Sequence, residues 1–421
     1  MKTPICKWVM AGAVVAYSLT GAAAAKSVRI AFIDPLSGPF ANIGEMEVRA
    51  FQYAIDQVNA RGGVLGGAKL ELVTIDNKNN AQDSLLALRQ ASDQGIRYIT
   101  QGNSSAVALA LSDAVSKHNA RNPDRTILYL NYSALDPALT NERCSFWHFR
   151  FDADADIKMS ALTDTIAANK NIKKVYLINQ DYSYGQAVAR AARAMLAQKR
   201  PDISIVGDDL HPLGKVKDFA PYVAKIRASG ADSVITGNWG NDFSLLVKAA
   251  RGSGLNADYY SYNANFPGML TAMGDAALGH IKNVHVYDSN PTSERGLKYI
   301  GGYRDKYKED YIQPQHGVLI EMLAQAIDRA RSIDPEKVAR ALEGMNYDWR
   351  YSTCRCAPII TSVDPAAFHQ FGRQGRRQKA QVRCGPHRDG LASRATNRRQ
   401  GHDDADHLQN GAAEVIAFVG N

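Results

Sequence analysis

Short apolar strands alternate with amphipathic helices from Val28 onward, and after residue 151 the alternation begins again. Residues 28–33 read as a strand, and 45–59 as a helix that carries Met46, Ala50, Tyr53, Ala54 and Val58 on one face. Strands at 70–75, 96–100 and 126–131 follow, with helices at 83–92 and 106–116 between them. A parallel connection must cross the sheet, so repeated β-α-β dictates a parallel sheet with helices on both faces. Beyond the aromatic segment 146–151, helices at 157–168, 185–198, 219–229, 243–251 and 268–273 alternate with strands at 174–178, 203–208, 233–237 and 258–262. Two arrays of similar size predict an α/β protein of two Rossmann-like lobes with parallel sheets joined by a hinge. Helices near 293–308, 316–331 and 335–342 come after the second array and complete the lobes.

The first 25 residues read as a cleavable export signal. Lys2 and Lys7 flank the start of an apolar run at 8–19, and small residues occupy 21–25. That run is short for a bilayer span, so a soluble periplasmic chain beginning near Lys26 is expected. Roughly 395 residues then remain, more than one hydrophobic core ordinarily serves. The expected division places 26–148 and 280–333 in lobe 1, 149–279 and 334–350 in lobe 2, and 351–421 in an irregular, disordered tail. The formal charge is +8, yet after residue 349 eleven Arg or Lys face six Asp or Glu. The basic excess is therefore concentrated in the tail, which argues against nucleic acid as a partner. Cys6 leaves with the signal, Cys144 stands alone in the body, and Cys354, Cys356 and Cys384 lie in the tail, so no disulfide is expected within the body.

Several phrases, in this order and at this spacing, carry a resemblance. They are Asp34-Pro-Leu-Ser-Gly-Pro-Phe-Ala-Asn-Ile-Gly44, Val58-Asn-Ala-Arg-Gly-Gly-Val-Leu-Gly66 and Leu70-Glu-Leu-Val-Thr-Ile-Asp76. Gly102-Asn-Ser-Ser105, Asp136-Pro-Ala-Leu-Thr140, Asn179-Gln-Asp-Tyr-Ser-Tyr-Gly185 and Asp218-Phe-Ala-Pro-Tyr222 continue the series. Together they resemble the branched-chain amino acid (Leu/Ile/Val-binding) type of periplasmic binding protein over about residues 28–345. The resemblance implies a type I periplasmic binding protein fold, a small-molecule carboxylate ligand, an ABC permease as partner, and a monomer without cofactor or catalytic residue.

In open α/β sheets ligands lie beyond the carboxyl ends of the strands, and here those ends carry small, polar or aromatic residues. The strand ending near Thr100 delivers Gly102, Asn103, Ser104 and Ser105 to the start of a helix, where backbone N–H groups and hydroxyls suit a carboxylate. The alternative is that Ser104 or Ser105 only caps the helix. Tyr132 and Ser133, after the strand ending at Asn131, are expected to face the same cleft, with Phe40 closing its edge. From the second lobe Tyr184 and Trp239 are expected to cover the ligand, Tyr184 being favoured over Tyr182, which could equally pack at the rim. Amino-acid binders of the family typically place an acidic residue after the strand that here ends near Tyr262. This chain reads Ser261-Tyr-Asn-Ala-Asn-Phe-Pro-Gly268, which leaves Asn263 or Asn265 in that place. A carboxylic acid lacking the amine, aromatic or aliphatic, therefore rivals leucine-like ligands.

No nucleophile elbow, Walker loop, dinucleotide fingerprint or metal-ligand spacing occurs, so a binding protein is expected rather than an enzyme. A sensor that presents its bound form to a membrane receptor is the alternative to an importer subunit. The tail lacks the strand hairpin with which the family ends. Read one base downstream, 364–371 permits Ile-Gln-Pro-Leu-Phe-Ile-Ser-Leu, which resembles the family's last strand, and a frameshift near residue 350 is the expectation drawn from it.

Overall fold

The computed structural model describes residues 27–266, 268–285, 293–311 and 314–348, with short strands at 353–355, 385–386 and 414–417. The segment read as an export signal and nearly all of the tail lie outside these residues.

The first sheet contains β1 (Val28–Asp34), β2 (Leu70–Asp76), β3 (Tyr98–Gln101), β4 (Leu128–Asn131) and β5 (His148–Arg150), all parallel and ordered β2-β1-β3-β4-β5. Helices α1 (Ala41–Ala60), α2 (Ala81–Asp93) and α3 (Ser105–Arg121) supply its crossovers. The second sheet contains β6 (Lys174–Gln180), β7 (Ser204–His211), β8 (Ser233–Thr236), β9 (Asp258–Ser261) and β10 (Ile281–His285), ordered β10-β9-β8-β6-β7 with strand Glu414–Ala417 beside β10. Its helices are α4 (Ala155–Ala168), α5 (Ser183–Lys199), α6 (Ala220–Ser229), α7 (Asn241–Gly252) and α8 (Met269–Met273). Helices α9 (Glu294–Tyr307), α10 (Gln315–Ala330) and α11 (Pro335–Leu342) follow. Local chemistry sets the helix starts. Asn80, Asp154 and Asp334 each accept a first-turn N–H, and Pro335 occupies the first position of α11, where its missing N–H costs nothing.

The observed elements differ from the expected division in four places, one of them being strand Glu414–Ala417, which pairs with β10 although the tail is expected to be irregular. The aromatic segment 146–151 contains β5, which completes the first sheet. Strand β10 belongs to the second sheet, so the second lobe includes residues up to 285, beyond the expected boundary at 280. Helix α11 packs on the first lobe, because Val338, Ala339 and Leu342 share one apolar core with Phe32, Phe51 and Leu319. Its hydrophobic stripe alone could not show which lobe would receive it.

The first passage between lobes, from β5 into α4, is fixed by buried charge. Arg150 pairs with Asp154 at 3.1 Å and also donates to the Asp136 carbonyl and the Thr140 hydroxyl, while Lys158 pairs with Asp152 at 2.9 Å. All four charged residues are at most 5 % exposed, so each needs its partner to offset desolvation. The lobes are closed on one another. Phe40, Ile43, Met46 and Leu135 of the first lobe lie in the same apolar cluster as Tyr184, Trp239 and Tyr262 of the second.

Candidate functional site

Between the closed lobes lies a pocket lined by both of them and partly open to solvent. The first lobe lines it with Gly102 to Ser105 and Ser133 to Leu135, the second with Tyr182, Tyr184, Trp239, Asn263 and Phe266. These residues occupy the ends of β3, β4, β6, β8 and β9, the edge where a parallel sheet turns into its helices.

Ser104 stands immediately before α3 at φ 69° and ψ 109°, a conformation that L-residues seldom adopt, and its side chain makes no capping hydrogen bond. The first-turn N–H groups of α3 thus lack a side-chain cap from Ser104. Ser105 Oγ accepts from the Asp136 amide at 3.1 Å, which leaves the hydroxyl hydrogen to donate elsewhere. Uncapped N–H groups, two hydroxyls and the positive end of a 17-residue helix make this corner attractive to an anion.

Across the pocket the Trp239 indole donates to the Tyr182 hydroxyl at 2.9 Å, which frees that phenol's own hydrogen. Asn263 donates through Nδ2 to the Gly237 carbonyl at 3.2 Å and reaches the Tyr184 hydroxyl at 3.4 Å. Burial pushes the Tyr182 and Tyr184 phenols above their ordinary range, so both remain neutral donors. No Asp, Glu, Lys, Arg or His lines the pocket among the described residues. Glycine is required at Gly102, where an added Cβ would lie 2.6 Å from the Tyr132 ring, and at Gly237, where it would lie 2.9 Å from Val188.

Seven residues singled out from the sequence meet here: Asn103, Ser104, Ser105, Ser133, Tyr184, Trp239 and Asn263. Tyr132 does not. Its ring is fully buried beneath Gly102, and its hydroxyl lies 2.7 Å from Asp34 and 2.5 Å from Glu47. The residue follows β4 into the core of its own lobe, so it supports the pocket from below instead of facing it. Tyr182 is a lining residue rather than a rim residue. Asn265 turns away to bind Asn283 at 3.2 Å. Phe40, expected at the edge, is not a lining residue but packs on Trp239, the ring centroids 4.4 Å apart. Sequence reading missed Leu135 and Phe266, which bring apolar surface without any motif of their own, and the buried Asp34 and Glu47, which look like ordinary surface acids in a linear pattern.

The profile described as "Periplasmic binding protein" matches residues 27–376. "Leu/Ile/Val-binding protein homolog 4" of Brucella abortus (strain 2308) is 33% identical over 338 residues, 78% of this chain and 80% of that relative. The closed crystal structure of the leucine-, isoleucine-, valine-, threonine- and alanine-binding protein of Brucella ovis superposes with TM-score 0.69 at 29% identity, covering 80% of this chain and 86% of its own. The solute-binding protein of an ABC transporter from R. palustris, solved with benzoate, superposes with TM-score 0.70 at 16% identity over 79% of this chain and 89% of its own. Two parallel-sheet lobes closed over an uncharged pocket, together with these matches, make this chain a member of the periplasmic binding protein family, in its branched-chain amino acid (Leu/Ile/Val-binding) group.

Proposed function

We propose that the chain is the exported, monomeric solute-binding subunit of an ABC importer, and that its ligand is a small carboxylate with an apolar or aromatic body and no ammonium group. The carboxylate would dock on the N–H groups and hydroxyls of Ser104 and Ser105. Tyr182, Tyr184 and Trp239 would then close over the body of the ligand, and the closed shape would be what a membrane permease recognises. Binding drives hinge closure, and no bond is made or broken.

The observation that carries this reading is the absence of any acidic side chain among the pocket residues. A buried ammonium facing only neutral groups loses its hydration without a counter-charge, which is costly. A pocket of aromatic rings with polar tips instead suits an apolar body whose only charge is at the α3 end. The benzoate in the R. palustris relative is compatible with such a pocket. A second reading, a branched-chain amino acid, is favoured by the name of the Brucella abortus relative. A thermal-shift series on residues 26–421 separates the two: 4-methylpentanoate and benzoate should raise the melting temperature, and leucine should raise it less. Preferential binding at about a hundredfold excess over Kd stabilises by about 2.7 kcal/mol, which is easily read. A larger shift with leucine than with 4-methylpentanoate would decide for the amino acid.

A further inference from the structure

Beneath the pocket floor lies a cluster of buried acidic and phenolic side chains that do not themselves line the pocket. Asp34, at the end of β1, and Glu47, on α1, are both fully buried, and no lysine or arginine contacts either among the described residues. Asp34 Oδ2 accepts from the Gly102 amide at 2.9 Å, and Oδ1 accepts from the Asn103 amide at 3.1 Å and from Gln101 Nε2 at 3.3 Å. Glu47 Oε2 accepts from Asn103 Nδ2 at 2.6 Å, and Glu47 Oε1 has no hydrogen-bond partner. The Tyr132 hydroxyl stands between the two carboxyls, 2.7 Å from Asp34 Oδ2 and 2.5 Å from Glu47 Oε2.

A phenol carries one hydrogen and cannot donate to two carboxylates at once. One of these two contacts must have a carboxylic acid as its donor. Asp34 has three further N–H donors and is suited to the ionised form, whereas Glu47 has one. The consistent assignment is Glu47 O–H donating to the Tyr132 oxygen, and Tyr132 O–H donating to Asp34. Two like charges this close, both out of water, could not otherwise coexist.

We propose that Asp34, Tyr132 and Glu47 hold one shared proton that sets the anion affinity of the Gly102–Ser105 loop, so that carboxylate binding is coupled to retention of that proton. The proposal rests on the carboxylate reading of the pocket. The loop's Gly102 and Asn103 amides are held by Asp34 and its Asn103 side chain by Glu47, so the array is joined to the residues that would meet the ligand. Losing the proton would place a second negative charge directly under an anion. Asp34 and Glu47 are positioning residues in this account, since neither lines the pocket.

The surroundings fit a proton held at neutral pH. Burial raises both carboxyls. Hydrogen bonds bring Asp34 back to about 7, while repulsion from Asp34 keeps Glu47 well above the usual range. The neighbours on each side are the Tyr129 phenol on β4, donating to Gln101 Oε1 at 2.5 Å, and the His316 ring on α10, 4.7 Å from the Tyr132 ring. Asp76 on β2 pairs in register with Asp34 and is held by the Leu36 amide, the Ser37 hydroxyl and the Lys78 amide. Burial lifts the Tyr129 and Tyr132 phenols far above their ordinary range, which removes them as titrating groups here.

Benzoate is the probe, because its own charge is constant over the range that matters. Its Kd for residues 26–421 should rise about tenfold between about pH 6 and about pH 9, the scale set by one pKa unit of coupling. In Glu47→Gln the rise should be clearly smaller, since the amide is neutral throughout, the Asn103 carboxamide can turn to meet it, and only Asp34, raised to about 7, still titrates in this range. Calorimetry of the unmutated protein in buffers of different ionisation enthalpy should show protons taken up on binding at about pH 8. Carboxyl ¹³C NMR of the ligand-free protein, read against Glu47→Gln, should find one carboxyl still protonated at neutral pH. Benzoate binding with a flat profile and no proton uptake overturns the coupling and leaves the carboxylate reading intact. No benzoate binding at any pH overturns both, and absence of the protonated carboxyl overturns the shared proton regardless of ligand.

Discussion

Ser104 bears the least favourable backbone conformation in the pocket, a non-glycine residue at φ 69°. Strain of this kind persists where the surrounding structure imposes it and often marks a functional site, at a cost of about 1–3 kcal/mol. Replacement by glycine should relieve it and removal of the hydroxyl should weaken binding, and these two effects can be separated. Ser104→Gly should melt higher than the unmutated protein while Ser104→Ala melts at about the same temperature, and both should bind benzoate about tenfold more weakly, as expected for one hydrogen bond to a charged group. Unchanged affinity in both variants would remove Ser104 from the site. At this scale the sequence revealed the polar and aromatic residues at strand ends, because position in a β-α unit determines which side chains reach the cleft. It could not separate Tyr132 from Ser133. Adjacent residues leave a strand end in different directions, and here the ring turns under Gly102 while the serine faces the pocket.

Among elements, the segment leading into α1 does more than connect β1 to its helix. Phe40, Ile43 and Met46 insert into the second lobe's core, and Phe40 packs against Trp239 within 3.1 Å of where a Cβ on Gly240 would stand. This apolar contact joins the two lobes in the closed structure, so its burial favours closure in addition to any ligand. Phe40→Ala removes the ring and should cost about 3 kcal/mol of that contact at most, since large-to-small core changes fall in that range and this site can relax by opening. Small-angle scattering should then report a larger radius of gyration for the ligand-free variant, with a return to the compact value at saturating benzoate. An unchanged ligand-free radius would show that the contact has no part in closure. Helices were legible from apolar periodicity, since those such as α1 and α10 bury a continuous stripe, as were most strands. Strands β5 and β10 were not, because each is short and lies at or beside a sheet edge, where little pattern distinguishes a strand from a loop. The lobe chosen by α11 depends on tertiary contacts that no local pattern encodes.

For the whole molecule, the buried acids impose a pH dependence of stability. Glu47 is protonated in the folded protein over a range where it ionises in the unfolded chain, so the native state binds more protons and stability falls as pH rises above about 4.5. His148 acts in the opposite sense. Buried, and next to Arg150, it is held neutral down to about 3, so unfolding takes up a proton below about pH 6.5 and stability falls toward acid. The two limbs enclose a stability maximum between them. Glu47→Gln removes Glu47's share of the upper limb and leaves the contributions of Asp34 and His148: its melting temperature relative to the unmutated protein should improve steadily from about pH 5 to about pH 8. A constant difference across that range would mean that Glu47 ionises normally. Two closed lobes and a pocket lined by uncharged residues are the observations on which the carboxylate reading rests. The most direct test is calorimetric titration of residues 26–421 with 4-methylpentanoate and with leucine, which share a carbon skeleton and differ in the amine. Tighter binding of 4-methylpentanoate is the predicted result, and tighter binding of leucine would contradict the uncharged pocket as the determinant of what this protein holds.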